Sequence, residues 1–233
     1  KHSILILFII KMKNLTLIIP AKNEKESLPS VLDELKNYDC KIKIILEHDD
    51  KETIDAIKFF NCDLIFQGKK GYGNALIEGI EAVDTEYFCI FNADGSFNPN
   101  ELLNMMNLSH LNNYDFIFAS RYEKNCGSED DTIITFVGNF IFTLLGRIFF
   151  KLSITDILYT FVMGKSAKAK VLKLKKNDFA FCVELPITAQ RHGLKLGTSK
   201  SYERKRIAGK KKVNAFKDGV KILFFMMKLF FKK

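Results

Sequence analysis

Between residues 15 and 91, short and continuously apolar runs alternate with stretches of helix length, and few folds accommodate that rhythm. Leu15–Ile19 ends in Pro20; Ile42–Leu46, Leu64–Phe66 and Tyr87–Phe91 follow. Between them the spacing predicts helices over Ser27–Asn37, with Ser27 as N-cap, over Lys51–Phe60 and over Tyr72–Val83. A strand without a polar face must be covered on both sides, and helices of about 10 to 15 residues between such strands supply the cover. The expected fold is α/β, a mostly parallel sheet with flanking helices. Its ligand crevice belongs at the carboxyl ends of the strands. There the chain places Pro20-Ala21-Lys22-Asn23-Glu24, Glu47-His48-Asp49-Asp50 and Asn92-Ala93-Asp94-Gly95.

After Ser120 the rhythm changes. Thr132–Phe150 is long and apolar, and its uncharged part, Thr132–Gly146, would make a helix of about 22 Å against a hydrocarbon core of about 30 Å. That is short for a span, so a buried or interfacial helix is expected. No repeat or Pro/Gly-rich linker divides the chain. One domain is expected over 12–212, followed by a basic amphipathic helix over 213–233. Met12 is the first methionine, and residues 1–11 are read as an N-terminal extension or translation-start artefact.

Charge is unevenly distributed. The formal net charge is +9, but Lys200–Lys233 holds twelve Lys/Arg against two acidic residues, so the preceding chain is close to neutral. Such a tail implies a polyanionic partner: nucleic acid, an anionic membrane surface or substrate phosphates. Nucleic acid is disfavoured because no helix-turn-helix, zinc or RNP pattern accompanies the charge. Lys210, Lys217, Lys221, Lys228 and Lys232 fall on one helical stripe, with Phe216, Val220, Leu223, Phe224, Met227 and Phe231 on a broad apolar face. That pattern fits a helix lying in a membrane interface, lysines toward anionic headgroups, or a core helix whose lysines reach outward. A 27% charged fraction excludes a bundle of spanning helices, and 47% hydrophobic residues exclude a disordered chain.

Cys40, Cys62, Cys89, Cys126 and Cys182 show no paired spacing, which argues against a disulfide framework or zinc site and for a reducing, cytosolic setting. His48, His110 and His192 show no metal spacing. Asn92-Ala93-Asp94, at a strand end, offers two oxygens one residue apart and suits Mg²⁺ or Mn²⁺ on a diphosphate; an ordinary Asx turn is the alternative.

Four segments in order, Ile18-Ile19-Pro20-Ala21-Lys22-Asn23-Glu24, Gly68-Lys69-Lys70-Gly71-Tyr72-Gly73-Asn74-Ala75-Leu76, Asn92-Ala93-Asp94-Gly95-Ser96 and Ser120-Arg121-Tyr122, together resemble family 2 glycosyltransferases of GT-A type. The resemblance is strongest to dolichol-phosphate and polyprenol-phosphate sugar transferases and runs from about Leu15 to Asn214. It implies a Rossmann-like GT-A domain in which Pro20, Ala21 and Glu24 meet the base and ribose. Glu47 and Asp50 stand near the family's paired aspartates, although Glu47-His48-Asp49-Asp50 departs from Asp-Asp-Gly-Ser and leaves open which carboxylate meets the nucleoside. Lys70 and Gly71 lie in the loop that closes over the nucleotide. Asn92, Ala93 and Asp94 match D-x-D with Asn92 replacing the first Asp; Asp94 is then the leading metal ligand, Asn92 the second and Ser96 an outer contributor. Arg121, Asp156 and Glu184 resemble catalytic positions, and a Gly-Phe-Arg segment is replaced by Tyr159-Thr160-Phe161-Val162. Arg206, Gly209 and Lys212 are in register with Arg-x-x-Gly-x-x-Lys, which makes Arg204, Arg206 and Lys212 candidates for phosphate or acceptor binding.

The resemblance therefore implies transfer of a hexose from a nucleotide-sugar donor to a lipid-phosphate acceptor, with a divalent cation, on the cytosolic membrane face. Absence of Trp removes the Gln-x-x-Arg-Trp signature of processive synthases. A nucleotidyltransferase and a catalytically silent nucleotide-binding protein are the alternatives.

Overall fold

The computed structural model describes residues 10–209 and 211–231. In chain order the elements are β1 (Ile10–Pro20), α1 (Leu28–Leu35), β2 (Tyr38–Leu46), α2 (Lys51–Ile57), β3 (Asp63–Phe66), α3 (Tyr72–Glu81) and β4 (Tyr87–Ile90). They continue with α4 (Glu101–Asn112), β5 (Phe116–Ser120), β6 (Gly127–Ser128), α5 (Ile133–Phe150), β7 (Val162–Lys165) and α6 (Ser166–Val171). Then come α7 (Phe181–Arg191), β8 (Leu196–Lys200), β9 (Tyr202–Glu203) and α8 (Ala215–Phe231).

Seven strands form one sheet in the order β3-β2-β1-β4-β7-β5-β8, in which only β7 runs antiparallel to its neighbours. The mostly parallel sheet and its flanking helices have GT-A architecture. Successive β1 residues serve opposite faces: Leu17 and Ile19 pack with α1 and α4, Ile18 with α3, and all three are fully buried. This is why the run carries no polar alternation. α3 sits close enough to the sheet that a Cβ on Gly79 would come within 2.4 Å of Ile18. The chain leaves β1 toward β2 and β3, then returns to place β4 on the other side of β1. Strand order reverses between β1 and β4, so their carboxyl ends splay apart there and open a crevice.

Two expectations need correction. Strand β1 starts at Ile10, with Ile10 opposite Tyr38 and Lys11 opposite Asp39, so the last two residues of the 1–11 extension belong to the sheet; residues 1–9 lie outside the described residues. Ser27 precedes α1, but its hydroxyl donates to Glu24 Oε2 (2.7 Å) and makes no capping bond.

Candidate active site

A crevice of about 780 Å³ opens at the carboxyl ends of β1 and β4 and extends to α5 and α8. Pro20, Ala21, Glu24, Glu47 and Gly71 line its β1–β2 side, and Asn92, Ala93 and Asp94 its floor. Glu47 takes Lys22 at 2.7 Å and Lys70 at 2.6 Å; hydrogen bonds from Lys22 and then Lys70 hold its carboxyl below the usual range. The question left open by the Glu47–Asp50 segment is thereby narrowed. Glu47 faces the crevice, whereas Asp50 caps α2 through Thr53 N–H and accepts Asn23 N–H at 2.7 Å. Lys70 stands outside the lining, exposed, with Glu47 and Asp49 as partners. Gly71 has φ +128°, and a Cβ there would lie 2.2 Å from the Asn177 carbonyl, so no other residue fits this turn.

At the Asn92–Ser96 turn the Asx-turn reading holds, and it leaves one Asp94 oxygen uncommitted. Asp94 Oδ1 accepts Ser96 N–H at 3.0 Å, which is an Asx turn; Oδ2 is left toward the crevice, with Arg206 Nη1 3.5 Å away. Asn92 Nδ2 donates to Ser96 Oγ at 3.2 Å, which leaves the Asn92 amide oxygen as a ligand atom. Ser96 itself is buried beneath the turn and does not line the crevice. Among the described residues no three His, Cys, Asp or Glu side chains gather around one point. A cation placed here would have Asp94, the Asn92 amide and the oxygens of a diphosphate as donors, a set that fits a hard divalent ion.

The basic segment 204–213 crosses this turn as a strap. Its backbone is tied down by Arg204 N–H to Ser96 O and Ile207 N–H to Asp94 O, both 2.8 Å. Arg206, Lys211 and Lys212 line the crevice; Lys212 pairs with Glu24, and Arg206 and Lys211 with Asp130. Arg204 does not join them. Its guanidinium is held by Glu34 (2.9 Å) and the Phe97 carbonyl (2.7 Å) on the far side of the turn. Lys210 lies outside the described residues.

Arg121 lines the crevice from the end of β5, with Asp156 behind it. Asp156 is fully buried and receives Arg121 Nε (2.8 Å), Nη2 (3.1 Å) and backbone N–H (3.2 Å), together with Asn139 Nδ2. It positions Arg121 and cannot touch a substrate. Arg121 also meets Glu203 at 2.9 Å and stacks on the Tyr159 ring, 4.4 Å from its centroid. Burial opposes its charge, but Asp156 and Glu203 outweigh burial and raise its pKa well above the ordinary value. Glu184 is placed elsewhere. Both its oxygens accept backbone N–H groups of Lys175 and Lys176 at 2.8–3.1 Å, outside the crevice lining. Burial raises its pKa despite those bonds.

Sequence reasoning missed Asp130, Asp131 and Asn139. Asp131 accepts Tyr122 O–H at 2.6 Å and, with Asp130, precedes the Thr132 cap of α5. The only local signal was an acidic pair before an apolar helix.

The far wall is apolar, built by Ile134 and Phe142 of α5, Leu158, and Phe216 and Ile222 of α8. α5 is turned inside out. Asn139, Thr143, Gly146 and Phe150 face the protein, while Ile133, Phe140, Ile141, Ile148 and Phe149 face outward and are about half exposed or more. Asn139 and Thr143 are turned inward because they serve the 156–158 backbone and Asp156: Asn139 accepts Leu158 N–H and Thr143 accepts Ile157 N–H. α8 packs on α5 through buried Ile222 and Met226 and the Phe149–Phe230 contact (5.2 Å). Its Phe216, Phe224 and Phe231 stay exposed, so one face packs as a core helix would and the other is left open. Lys232 lies outside the described residues.

The glycosyl transferase family 2 model matches residues 16–172. Uncharacterised glycosyltransferases of Mycobacterium bovis and Mycobacterium tuberculosis are 31% identical over 88 residues, 37% of this chain and 39% of theirs. The match thus spans about two fifths of those relatives. Glucosyl-3-phosphoglycerate synthase from Mycobacterium tuberculosis, solved with Mn²⁺, UDP and glucosyl-3-phosphoglycerate, superposes with a TM-score of 0.69 at 12% identity, covering 94% of this chain and 80% of its own. Mannosyl-3-phosphoglycerate synthase from Rubrobacter xylanophilus gives 0.70 at 11%, covering 92% and 72%. At such identities the superpositions speak for the fold, and the family match over most of the sheet and its strand-end residues carries the assignment: the chain belongs to glycosyl transferase family 2.

Proposed function

We propose that the protein moves a hexose from a nucleotide sugar to a polyprenyl-type lipid phosphate at the cytosolic membrane face. One observation carries this reading. A single crevice is polar at its strand-end half, with Asp94, Glu24, Glu47, Arg206, Lys211 and Lys212, and apolar at its α5–α8 half. The apolar wall belongs to the same two helices that turn phenylalanines outward. A donor diphosphate suits the first half and a lipid chain the second. Outward apolar residues on α5 with the exposed Lys217, Lys221 and Lys228 on α8 suit an anionic bilayer, because apolar burial and headgroup attraction act together.

In this reaction the acceptor phosphate is already an anion, so it attacks the anomeric carbon without a general base while the bond to the donor diphosphate breaks. Arg206, Lys211 and Lys212 neutralise the departing nucleoside diphosphate. Asp94 and the Asn92 amide would hold a divalent cation, which would supply further neutralisation of the diphosphate; glucosyl-3-phosphoglycerate synthase was solved with Mn²⁺ and UDP. Asn92 brings one charge less than an aspartate, so the cation is held more weakly. Arg121, fixed by Asp156, faces the crevice where acceptor and donor meet.

The test is transfer of labelled sugar from a UDP- and GDP-sugar panel, with and without Mn²⁺, to polyprenyl phosphate or 3-phosphoglycerate in detergent. Transfer to the lipid with release of nucleoside diphosphate is expected. Transfer to 3-phosphoglycerate alone would overturn the acceptor, and release of pyrophosphate would indicate nucleotidyl transfer. Arg206→Ala should lower lipid transfer about 10- to 150-fold, the cost of one charge-assisted contact, and Arg206→Lys should rescue little because the two-pronged guanidinium is gone.

A further inference from the structure

Asp130 reaches the strap from the α5 side, as Glu24, Glu34 and Asp94 do from other elements. It belongs to the segment entering α5, 76 positions before Arg206. Its Oδ1 accepts Arg206 Nε at 3.1 Å and its Oδ2 accepts Nη2 at 2.7 Å, a fork that fixes the guanidinium plane. Lys211 Nζ lies 3.3 Å from Oδ2 and also donates to the Asp130 carbonyl. Burial pushes the Asp130 carboxyl upward, but Arg206 and Lys211 outweigh it and bring it below the usual range. With Nε and Nη2 occupied, only the Nη1 edge of Arg206 is turned toward Asp94 Oδ2, at 3.5 Å. The parallel pairing of β6 with β9 runs beside this contact and carries the two segments together.

From this geometry we infer that Asp130 is a positioning residue for the donor site: it holds Arg206 by one edge and Lys211 by its ammonium, so that the other edge of Arg206 meets the diphosphate beside Asp94. The inference rests on the nucleotide-sugar reading of the crevice. It assigns Asp130 no contact with substrate. Its work is to remove freedom from two long side chains before the ligand arrives, since ordering them during binding would cost affinity. Asp130 also lies two residues before Thr132, the cap of α5, so the strap is anchored where the outward-facing helix begins.

Two measurements test it. Hydrogen exchange on the unliganded protein compares wild type, Asp130→Asn and Asp130→Glu. Faster exchange in Asp130→Asn, confined to the strap and β9, with recovery in Asp130→Glu, is expected; unchanged exchange would overturn the inference without reference to any nucleotide. Calorimetry with UDP or GDP and Mn²⁺ then compares Asp130→Asn, Arg206→Ala and the double variant. Asp130→Asn should weaken binding about tenfold, and the loss in the double variant should fall short of the sum of the two single losses, because most of the carboxylate's effect passes through the guanidinium and only its hold on Lys211 remains. Additive losses would show an independent role and overturn it. Wild type that bound neither nucleotide would refute the donor reading, while the exchange result would still decide what holds the strap.

Discussion

The two halves of the crevice are made in different ways. On the β1–β4 side each lining residue lies at or just beyond the end of a strand whose position the sheet dictates, and Pro20, Glu47 and Asp94 need few long-range contacts to stand where they do. On the α5–α8 side the ladders reach only β5 and the short β6–β9 pair. The strap and Arg121 are placed largely by ion pairs between distant residues, Arg206 with Asp130, Arg121 with Asp156 and Glu203, Lys212 with Glu24, and the two helices by apolar packing. The comparison teaches that backbone geometry sets one side, whereas the other depends on charges that meet one another, two of which, Arg206 and Lys212, also face the crevice.

The most severe way to break that distinction is Arg121→Ala. It leaves fully buried Asp156 with only the Asn139 amide and the backbone N–H of residue 121, and Glu203 with the Ser128 hydroxyl, both without the guanidinium's charge, so a loss of about 3–5 kcal/mol is expected in denaturant unfolding. A variant of unchanged stability that had lost transfer would place Arg121 among the groups acting on substrate alone. Next in size, Asp94→Ala should lower Mn²⁺-dependent binding of a nucleoside diphosphate by about 100-fold, with little loss of stability, whereas Asn92→Asp should preserve or strengthen it. Equal affinity in calorimetry would remove Asp94 from the site.

Glu184→Ala sharpens the contrast from the opposite direction. It leaves the Lys175 and Lys176 N–H groups without their acceptor and should cost about 1–3 kcal/mol of stability while nucleotide affinity stays unchanged. A fall in affinity at unaltered stability would restore Glu184 to the reaction. The smallest effect belongs to the outer surface. Lys217→Gln or Lys221→Gln should each reduce partition onto anionic vesicles by about 1 kcal/mol, with the difference vanishing at high salt. Partition indifferent to both charge and salt would leave apolar burial as the only contribution.

Much of the donor side was legible because its cause is local. Apolar runs without alternation announce strands covered on both faces, and Pro20 and the Asn92–Gly95 turn mark where two of them stop. The Asp94 ambiguity also resolves locally, since an Asx turn needs only one carboxylate oxygen. Asp156 and Glu184 were recognisable as carboxylates worth noting, but residue type cannot say whether a carboxylate faces a crevice or is enclosed by backbone N–H groups and a guanidinium. Arg204 and Arg206, two positions apart on one strap, end on opposite sides of the Asn92–Ser96 turn. Asp130 gave no signal because its partners come from a distant segment.

The amphipathic content of α5 and α8 was likewise written in the chain. Which way α5 faced was not. Its polar and small residues Asn139, Thr143 and Gly146 share one stripe, which pattern alone would assign to solvent; the stripe faces the protein because Asn139 and Thr143 find Asp156 and the 157–158 backbone. Sequence by itself determined β1 to β4, the residues at their ends and the basic tail, because nearest-neighbour geometry and composition suffice for these. Only the tertiary structure decided which charges meet a ligand and which meet one another, because desolvation and pairing depend on groups that the chain brings together from far apart.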